Sequence, residues 1–338
     1  MVKEISRTLV VGLGGTGQSV IRDIKKRLFV RYGEIPSLVR FLSFDTDDDG
    51  YQDTPYNYYF KGEKKSTRRY NITKEEFKKI SRPAIDVLKA DQNCQRLNFD
   101  QLGRIYGLAN GIGANGFRVM GRAHVLYNAN SIMHTLVTTI SSLRNANLAG
   151  DELANGYQLC GNGITVYIIA SLAGGTGSSS FLDFSRMLQH AGIDVVPRGA
   201  GVPTDTILGM FFMPSFFVTK PNTPNVRINT YVALSELDYL LGLNNEEKYP
   251  EGCSEKEADR TEYGNYNDYK SVRFSNVYLI DEKTKKGNTH SFEEASGYVA
   301  SFIAASIAAD NQVLNSSYSN STHSLHDLDG IIHRPCLW

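Results

Sequence analysis

Two loops of small residues, each between an apolar run and a helical stripe, have the composition of phosphate-binding loops. The first follows the run 8–11, and its candidate ligands are Gly12, Gly14, Gly15, Thr16, Gly17 and Gln18. The second follows the run 164–170, and its candidate ligands are Gly174, Gly175, Thr176, Gly177 and Ser178. Glycine lets backbone N–H groups approach a phosphate closely, and a helix N-terminus adds partial positive charge. We expect both loops to hold one polyphosphate.

A third glycine loop and an acidic turn are further candidates. Gly113, Ala114 and Asn115 precede two arginines, Arg118 and Arg122. Backbone amides or a guanidinium there could close over a terminal phosphate, but a flexible loop with solvated arginines would explain the same residues. Asp45 and Asp47 follow the apolar run 41–44, where either could orient a water bound to Mg²⁺ or simply belong to an acidic turn.

The first loop also satisfies the GxGxxG pattern of dinucleotide-binding sites. That pattern expects an acidic residue about 20 positions further on, to bind the ribose. Asp45 lies 28 residues after Gly17, which fits poorly. The second loop lacks the lysine of a Walker A loop. The missing lysine excludes a Walker-type site. An NAD-binding Rossmann enzyme fits poorly but remains an alternative.

Apolar runs and helical stripes alternate along the chain. The runs predict strands at 8–11, 41–44, 164–170, 207–213 and 276–280. The stripes predict helices at 19–28, 181–188, 234–241 and 292–307. This alternation predicts an α/β fold with a Rossmann-like, mainly parallel sheet, helices on both faces, and ligands at the carboxyl ends of the strands. The polar stretches 51–70, 145–163, 195–206 and 244–270 are predicted to be irregular surface insertions.

Composition narrows the class of protein. The chain has 338 residues, of which 41% are hydrophobic, and its formal net charge is zero. It can build a large core, and its neutrality disfavours nucleic acid as a partner. The run 207–218 contains Pro214 and is too short to cross a membrane, so no membrane segment is predicted. The four scattered cysteines, Cys94, Cys160, Cys253 and Cys336, indicate a cytoplasmic location.

The motifs and their order along the chain resemble those of the tubulin/FtsZ superfamily of GTPases. The chain is similar to divergent bacterial tubulin-like proteins. Residues 12–17 resemble the first phosphate loop, 41–47 the second, and 113–123 the third. Residues 173–179 resemble the glycine-rich tubulin signature, with Ala173 and Ser179 in place of glycines. The similarity extends over roughly residues 5–310, and the helix at its end resembles the central helix of the family.

The resemblance implies a function. It implies binding of GTP or GDP with Mg²⁺, head-to-tail self-association into filaments, and GTP hydrolysis activated by contact between subunits. Glu282 falls where the family has a guanine-reading asparagine, and Arg227 and Tyr298 are candidates for ribose and base contacts. Asp327 and Asp329 are the candidate carboxylates that would act on the nucleotide of the neighbouring subunit. The alternative within the resemblance is a guanine-nucleotide-binding module of a larger protein, without hydrolysis.

The resemblance also suggests a division of the chain. Residues 1–290 would form the GTP-binding domain, 291–313 the central helix, and 314–338 a tail or the start of an absent second domain. We expect either a piece of a longer protein or a chain without the family's second domain.

Three other patterns favour no separate function. The acidic residues 45–50 resemble a calcium loop, but Tyr56 occupies its glutamate position. His323, His326, His333 and Cys336 have zinc-like spacing, but the segment has the composition of a tail, and we predict no metal site there. Basic and aromatic residues alternate over 56–70, which could bind single-stranded nucleic acid but is typical of a solvated insertion.

Overall fold

The computed structural model describes residues 3–48, 54–80, 82–94, 97–108, 113–114, 116–195, 205–218, 225–242, 274–283 and 287–308. The strands are β1 (Lys3–Leu13), β2 (Val39–Asp45), β3 (Tyr56–Phe60), β4 (Glu63–Thr67), β5 (Phe77–Lys79), β6 (Tyr157–Ser171), β7 (Thr206–Phe212) and β8 (Asn276–Ile280). The helices are α1 (Gly14–Tyr32), α2 (Ile85–Ala90), α3 (Phe99–Leu108), α4 (Arg118–Tyr127), α5 (Ala129–Arg144), α6 (Gly150–Ala154), α7 (Thr176–His190), α8 (Val226–Gly242) and α9 (Phe292–Ile307).

Six strands form one parallel sheet in the order β5–β2–β1–β6–β7–β8. In the centre, Val11 of β1 lies opposite Leu42 of β2 and Ile168 of β6. The strand order reverses between β1 and β6, and in parallel sheets such a reversal opens a crevice at the carboxyl ends of the two strands. The two small-residue loops leave β1 and β6 at this point. The separate pair β3–β4 is an antiparallel hairpin.

Two apolar layers bury both faces of the sheet. On one face, Val10 and Tyr167 pack with Ile21 of α1 and Ile303 of α9. On the other face lie helices α3, α4, α5, α7 and α8, which contribute Leu102, Met120, Leu136, Phe184 and Ala233 to the core. Burial on both sides explains why the central strands are continuous apolar runs rather than alternating ones.

Local signals set the ends of two helices on the α1 face. Helix α9 begins with a capping box, in which Ser291 Oγ accepts from the Glu294 N–H at 3.2 Å and Glu294 accepts from the Ser291 N–H at 2.9 Å. Helix α1 ends at Gly33, whose φ of 81° is the left-handed conformation that glycine adopts readily. Ser296 Oγ of α9 donates to Asp23 of α1 at 2.8 Å, which fixes the two helices together.

The predicted fold class is confirmed, and the predicted elements at 276–280 and 292–307 have the bounds of β8 and α9. Two predicted insertions are wrong. Residues 51–70 contain the hairpin β3–β4, whose two-residue turn has positive φ at Lys61 and Gly62, as a tight hairpin requires. Residues 145–163 contain α6 and the start of β6, which pairs with the beginning of β1.

The other two predicted insertions fall largely or wholly outside the described residues, as 196–204 and 243–273. The same holds for the predicted tail, because the description ends at residue 308. The division of the chain at 290 and 313 therefore remains a prediction.

Candidate functional site

The first glycine loop is shaped by the close approach of α1 to β1. A Cβ on Gly17 would lie 2.5 Å from the Gly12 Cα, and a Cβ on Gly12 would lie 2.7 Å from Ile21 Cδ1. Gly14 has a φ of 70°, which few other residues adopt. The backbone geometry therefore requires glycine at positions 12, 14 and 17. These glycines allow α1 to begin directly after β1.

The second loop lies against the first. A Cβ on Gly14 would be 3.6 Å from the Thr176 Cβ and 3.7 Å from the Gly177 N. From the other side, a Cβ on Gly177 would be 3.3 Å from the Leu13 carbonyl oxygen. The structure thus brings together the two loops that the sequence predicts to share one ligand.

Each of these two loops also has a glycine that faces open space. A Cβ on Gly15 or Gly174 would meet no atom within 4 Å. The residues that precede α1 and α7, Leu13 and Gly175, offer no capping side chain to the first turns of these helices. N–H groups of a helical first turn have no partner within the helix and attract anions when no side chain caps them. The two loops therefore leave open space beside two helix N-termini that no side chain caps, which makes them the candidate anion site.

The third loop packs onto the second. A Cβ on Gly175 would lie 2.8 Å from the Ala114 Cβ and 3.1 Å from the Gly116 N. Gly113 has a φ of 91°, and a Cβ there would overlap with the carboxylate of Asp47. Of the predicted ligands in this loop, Gly113 and Ala114 are described and Asn115 lies outside the described residues.

Asp45 connects the acidic turn with both major loops. Its Oδ2 accepts from Gln18 Nε2 at 2.8 Å, and its Oδ1 accepts from Thr176 Oγ1 at 3.3 Å and from the Thr46 N–H at 2.8 Å. Burial raises the pKa of the Asp45 carboxyl from 3.8 to about 6. Burial also raises the pKa of Asp47, which is more exposed. Asp45 is thus a buried internal acceptor rather than a free ligand.

Thr46 completes this network, and the sequence did not single it out. Its Oγ1 lies 2.9 Å from Thr176 Oγ1 and accepts from the Ala114 N–H at 3.0 Å. Together with Asp45, this hydroxyl connects four separate segments of the chain at the carboxyl edge of the sheet. The four segments therefore cannot move independently without breaking buried hydrogen bonds.

Asn229 of α8 is a second site residue that sequence reasoning missed. It is buried, and its Nδ2 donates to the Gly116 carbonyl at 2.8 Å and to the Ala173 carbonyl at 2.9 Å. The adjacent Thr230 donates to the Leu172 carbonyl at 3.1 Å. The sequence pattern that could have identified this residue is a polar Asn-Thr pair inside an apolar helical stripe. Asn229 fixes the distance between the second and third loops.

The two arginines near the third loop are held by other residues. Arg118 donates to the Ser178 carbonyl at 2.8 Å and pairs with Glu236 of α8. Arg122 pairs with the buried Asp183 at 3.5 Å. The expectation that a guanidinium approaches a terminal phosphate is therefore not supported. In the third loop, the Ala114 N–H donates to Thr46 Oγ1 and the Phe117 N–H donates to the Ala114 carbonyl.

The candidate residues for base and ribose contacts lie farther apart along the chain than the residues of the glycine loops. Glu282 follows β8, where its N–H donates to the Asp281 carboxylate at 2.7 Å. Tyr298 of α9 is 61% exposed and lies edge-on to His290. Arg227 is exposed in the first turn of α8. Among the described residues, no hydrogen bond joins these three side chains to the glycine loops, and Asp327 and Asp329 lie outside the description.

A cavity of about 380 Å³ lies away from the glycine loops, at the outer edge of β2. The buried Lys25 lines it and pairs with Glu76 at 2.7 Å. Burial lowers the pKa of Lys25, and the nearby Glu76 carboxylate acts in the opposite direction, raising it. The cavity shares no lining residue with the loops, and its buried Lys25 is already paired with Glu76, so it is not the candidate site.

Within the described ranges, no group of three or more His, Cys, Asp or Glu side chains is placed to hold a metal ion. No helix in that part of the chain has the length and apolar character needed to cross a membrane.

Solved structures with similar folds are distant in sequence. CetZ from Methanosaeta thermophila is 13% identical, with a TM-score of 0.44 over 90% of this chain and 53% of its own. CetZ1 from Haloferax volcanii, a GDP-bound monomer, is 10% identical, with a TM-score of 0.45 over 91% and 63%. TubZ from Bacillus thuringiensis serovar israelensis, a GTPγS-form protofilament, is 16% identical, with a TM-score of 0.38 over 88% and 55%.

The chain spans between about half and two thirds of the length of these structures. No curated protein matches it in sequence. A family model described as "Tubulin like" matches residues 9–330, which is nearly the whole chain. The chain therefore belongs to the tubulin-like family.

Proposed function

We propose that this protein binds GTP and GDP through the joined glycine loops. The observation that carries this proposal is the open space at Gly15 and Gly174, beside two uncapped helix N-termini that lie in contact. The β- and γ-phosphates would accept from the first-turn N–H groups of α1 and α7. The third loop would lie beside the terminal phosphate, with its Ala114 N–H held by Thr46 Oγ1. Membership of the tubulin-like family supports guanine as the base.

Magnesium fits this site as an ion that arrives with the nucleotide. Mg²⁺ is commonly bound by phosphate oxygens and water with one or two carboxylates, and needs no preformed cage. Asp47, exposed beside Gly113, would orient water of the ion, whereas the oxygens of Asp45 already accept internal hydrogen bonds. The ion would neutralise charge on the phosphates.

We further propose that the nucleotide is hydrolysed when copies assemble head to tail into filaments. Asn229 and Thr46 hold the loops in place through buried hydrogen bonds, so first-turn N–H groups of α1 and α7 would stabilise phosphate charge without rearrangement. Asp327 and Asp329 stay the candidate carboxylates for activating water on a neighbouring copy. A module that binds guanine nucleotide without turnover, within a longer protein, is the competing proposal.

The NAD-binding alternative is less well supported. A dinucleotide site places its pyrophosphate on one glycine loop and its ribose on an acidic residue at the next strand end. Here that residue is Asp45, which is buried and occupied by Gln18 and Thr176. The contact between the two loops also has no role in such a site.

The division at residues 290 and 313 and a cytoplasmic location belong to the same proposal. The scattered cysteines support the location, and the resemblance to the family suggests the division.

Equilibrium binding of a fluorescent GTP analogue, with GTP, GDP, ATP and NAD as competitors, tests the proposal. We expect GTP and GDP to compete and ATP and NAD not to compete. Competition by NAD alone would overturn it. Phosphate release measured against protein concentration then distinguishes hydrolysis by assembled copies from binding without turnover. A rise steeper than linear supports hydrolysis by assembled copies, and binding without release at any concentration supports the module.

A further inference from the structure

The first half of β2 has an open outer edge, away from β1. On the inner side, the Leu38 carbonyl just before β2 accepts from the Thr8 N–H of β1 at 2.9 Å. On the outer side, the Ser43 N–H donates to the Glu76 carbonyl at 2.8 Å. Backbone hydrogen-bonding groups alternate between the two sides of a strand from one residue to the next. The odd-numbered residues of β2 therefore point their N–H and C=O groups outward.

Phe41 has no strand beside it on this outer side. The pairing of β2 with β5 covers only residues 43–45 of β2. The chain before β5 turns away, because the N–H groups of Glu76 and Phe77 both donate to the Thr73 carbonyl, at 3.1 and 2.9 Å. In the described part of the chain, no backbone group pairs with the outward N–H and C=O of Phe41. Phe41 lines the cavity of about 380 Å³ described above, and open backbone groups at a sheet edge are a template for another strand.

Buried contacts hold the outer wall of this cavity in place. Lys25 of α1, whose side chain is 2% exposed, donates to the Asn71 carbonyl at 2.6 Å and to the Glu76 carboxylate at 2.7 Å. The same carboxylate accepts from the Thr73 N–H at 2.7 Å. These hydrogen bonds fix the segment 71–76 to α1 rather than to β2. The space beside the open edge is therefore kept by the fold and is not the result of a loose loop.

Two guanidinium groups flank the open edge from opposite faces of the sheet. Arg69 lies on the α1 face, with its guanidinium 6.0 Å from the centre of the Phe29 ring. Arg40 lies two positions before Leu42 in β2 and shares its face, which packs on the side of α5. Arg40 Nη1 donates to the Ser37 carbonyl at 2.7 Å. Within the described ranges, neither arginine forms an ion pair with a carboxylate, so both can bind one from a partner.

The charges that line the cavity favour an acidic partner. They comprise Lys25, Arg40 and Arg69 against Glu75 and Glu76. Glu76 is engaged by Lys25, and Glu75 is exposed at the rim. Positive charge is therefore in excess beside the open edge, which attracts a ligand that carries carboxylates.

We propose that the outer edge of β2 binds an acidic, extended peptide segment of another protein, which adds one short strand beside Phe41. The peptide would accept from the Phe41 N–H and donate to its carbonyl, as in other cases of strand addition. Successive side chains of a strand point to opposite faces of the sheet. Two adjacent acidic residues would therefore reach Arg69 on one face and Arg40 on the other, which a small anion could not do. The cavity shares no residue with the glycine loops, so this inference is independent of nucleotide binding.

Fluorescence anisotropy of a labelled peptide, titrated with the full chain, tests strand addition. The probe peptide has blocked ends and two adjacent glutamates between valine and threonine residues. One control peptide has glutamines in place of both glutamates. A second control peptide is N-methylated at the second glutamate, which keeps both charges but removes the donor assigned to the Phe41 carbonyl. Hydrogen exchange at Phe41, measured by mass spectrometry with and without the probe, reports the new backbone hydrogen bond.

Two protein variants separate the proposed site from general attraction between charges. Arg69→Gln removes one guanidinium from the cavity. Arg68→Gln is the matched control, because Arg68 is the adjacent exposed arginine and does not line the cavity. Circular dichroism checks that both variants are folded.

We expect the probe peptide to bind with a dissociation constant of about 100 μM or lower and to slow hydrogen exchange at Phe41. The glutamine peptide and the N-methylated peptide should each bind about tenfold more weakly, because each loses hydrogen bonds to the edge or to the arginines. Arg69→Gln should weaken binding of the probe about fivefold, and Arg68→Gln should change it by less than about twofold.

Absence of binding up to about 1 mM probe peptide would overturn the inference. Equal binding of the N-methylated peptide would also overturn it, because the edge would then attract charge without adding a strand. Inorganic phosphate that competes as well as the probe would assign the cavity to small anions instead. A dimer in sedimentation velocity that Arg69→Gln abolishes, together with exclusion of the probe, would make a second copy the occupant and the inference wrong. Each of these outcomes leaves the proposed nucleotide binding standing.

Discussion

The loops proposed to bind phosphate, here the phosphate side, and the residues proposed to contact the base, here the base side, are built differently. On the phosphate side, glycines in contact and buried side chains such as Thr46 and Asn229 fix backbone groups to one another. On the base side, Glu282 and Tyr298 are long side chains on separate elements, and Tyr298 is mostly exposed. Backbone groups held by packing are preorganised for a ligand, whereas exposed side chains must be ordered by it.

The comparison predicts that glycines on the phosphate side have two distinct roles. Gly17→Ala tests the packing role, because its Cβ would lie 2.5 Å from the Gly12 backbone and neither chain segment can yield. We expect the free energy of unfolding to fall by about 3 kcal/mol or more. Urea denaturation measures this, and stability equal to wild type would show that the close approach of α1 to β1 is not required.

The buried Asp45 gives the phosphate side a pH dependence. Its pKa is raised from 3.8 to about 6, so the folded protein binds a proton at a pH where the unfolded chain does not. Stability relative to Asp45→Asn should therefore increase as the pH falls from above 6 to 4, by up to about 3 kcal/mol. Denaturation of both proteins without nucleotide, across this range, measures the difference. A constant or opposite difference would contradict the burial of this carboxyl.

Gly174→Ala tests the ligand role on the same side. Its Cβ meets no protein atom within 4 Å, so stability should stay within about 0.5 kcal/mol of wild type. The methyl group would occupy the space assigned to phosphate, and GTP affinity should fall about 100-fold, or about 2.7 kcal/mol. Gly15→Ala should behave alike. Calorimetric titration with GTP measures the loss, and unchanged affinity would show that these loops are not the anion site.

Asn229→Asp sharpens the comparison by removing the side-chain donor that holds the second and third loops together. The carboxylate would face the Gly116 and Ala173 carbonyls as a third acceptor, in place of a donor. We expect about tenfold weaker GTP binding and a smaller loss for GDP, because the third loop is assigned to the terminal phosphate. Thr230→Val, which alters one neighbouring carbonyl contact, is the control. Equal losses for GTP and GDP would argue against this assignment.

The smallest effects are expected on the base side. Tyr298→Ala should weaken GTP binding by less than about threefold, because an exposed ring gains little by stacking in water. Glu282→Gln should reduce the preference for GTP over ATP by a similar factor. Competition titrations measure both, and a loss as large as that of Gly174→Ala would show that the two sides are equally preorganised.

Sequence reasoning succeeds where one local pattern determines the structure. Glycine spacing after apolar runs located both glycine loops at strand–helix junctions, because strand, tight turn and helix follow one another within a few residues. It failed at the start of β6, which pairs with the distant β1, and at the hairpin β3–β4, which packs on the distant α1 through Tyr58 and Phe29. Thr46 and Asn229 were missed for the same reason, since each acts on loops more than 50 residues away.

A crystal structure with a slowly hydrolysed GTP analogue tests the central claim most directly. The account predicts phosphate oxygens at about 3 Å from N–H groups of both Gly14–Thr16 and Gly174–Gly177. A nucleotide held by only one of these loops, or bound in the cavity beside Lys25 and Glu76, would contradict it.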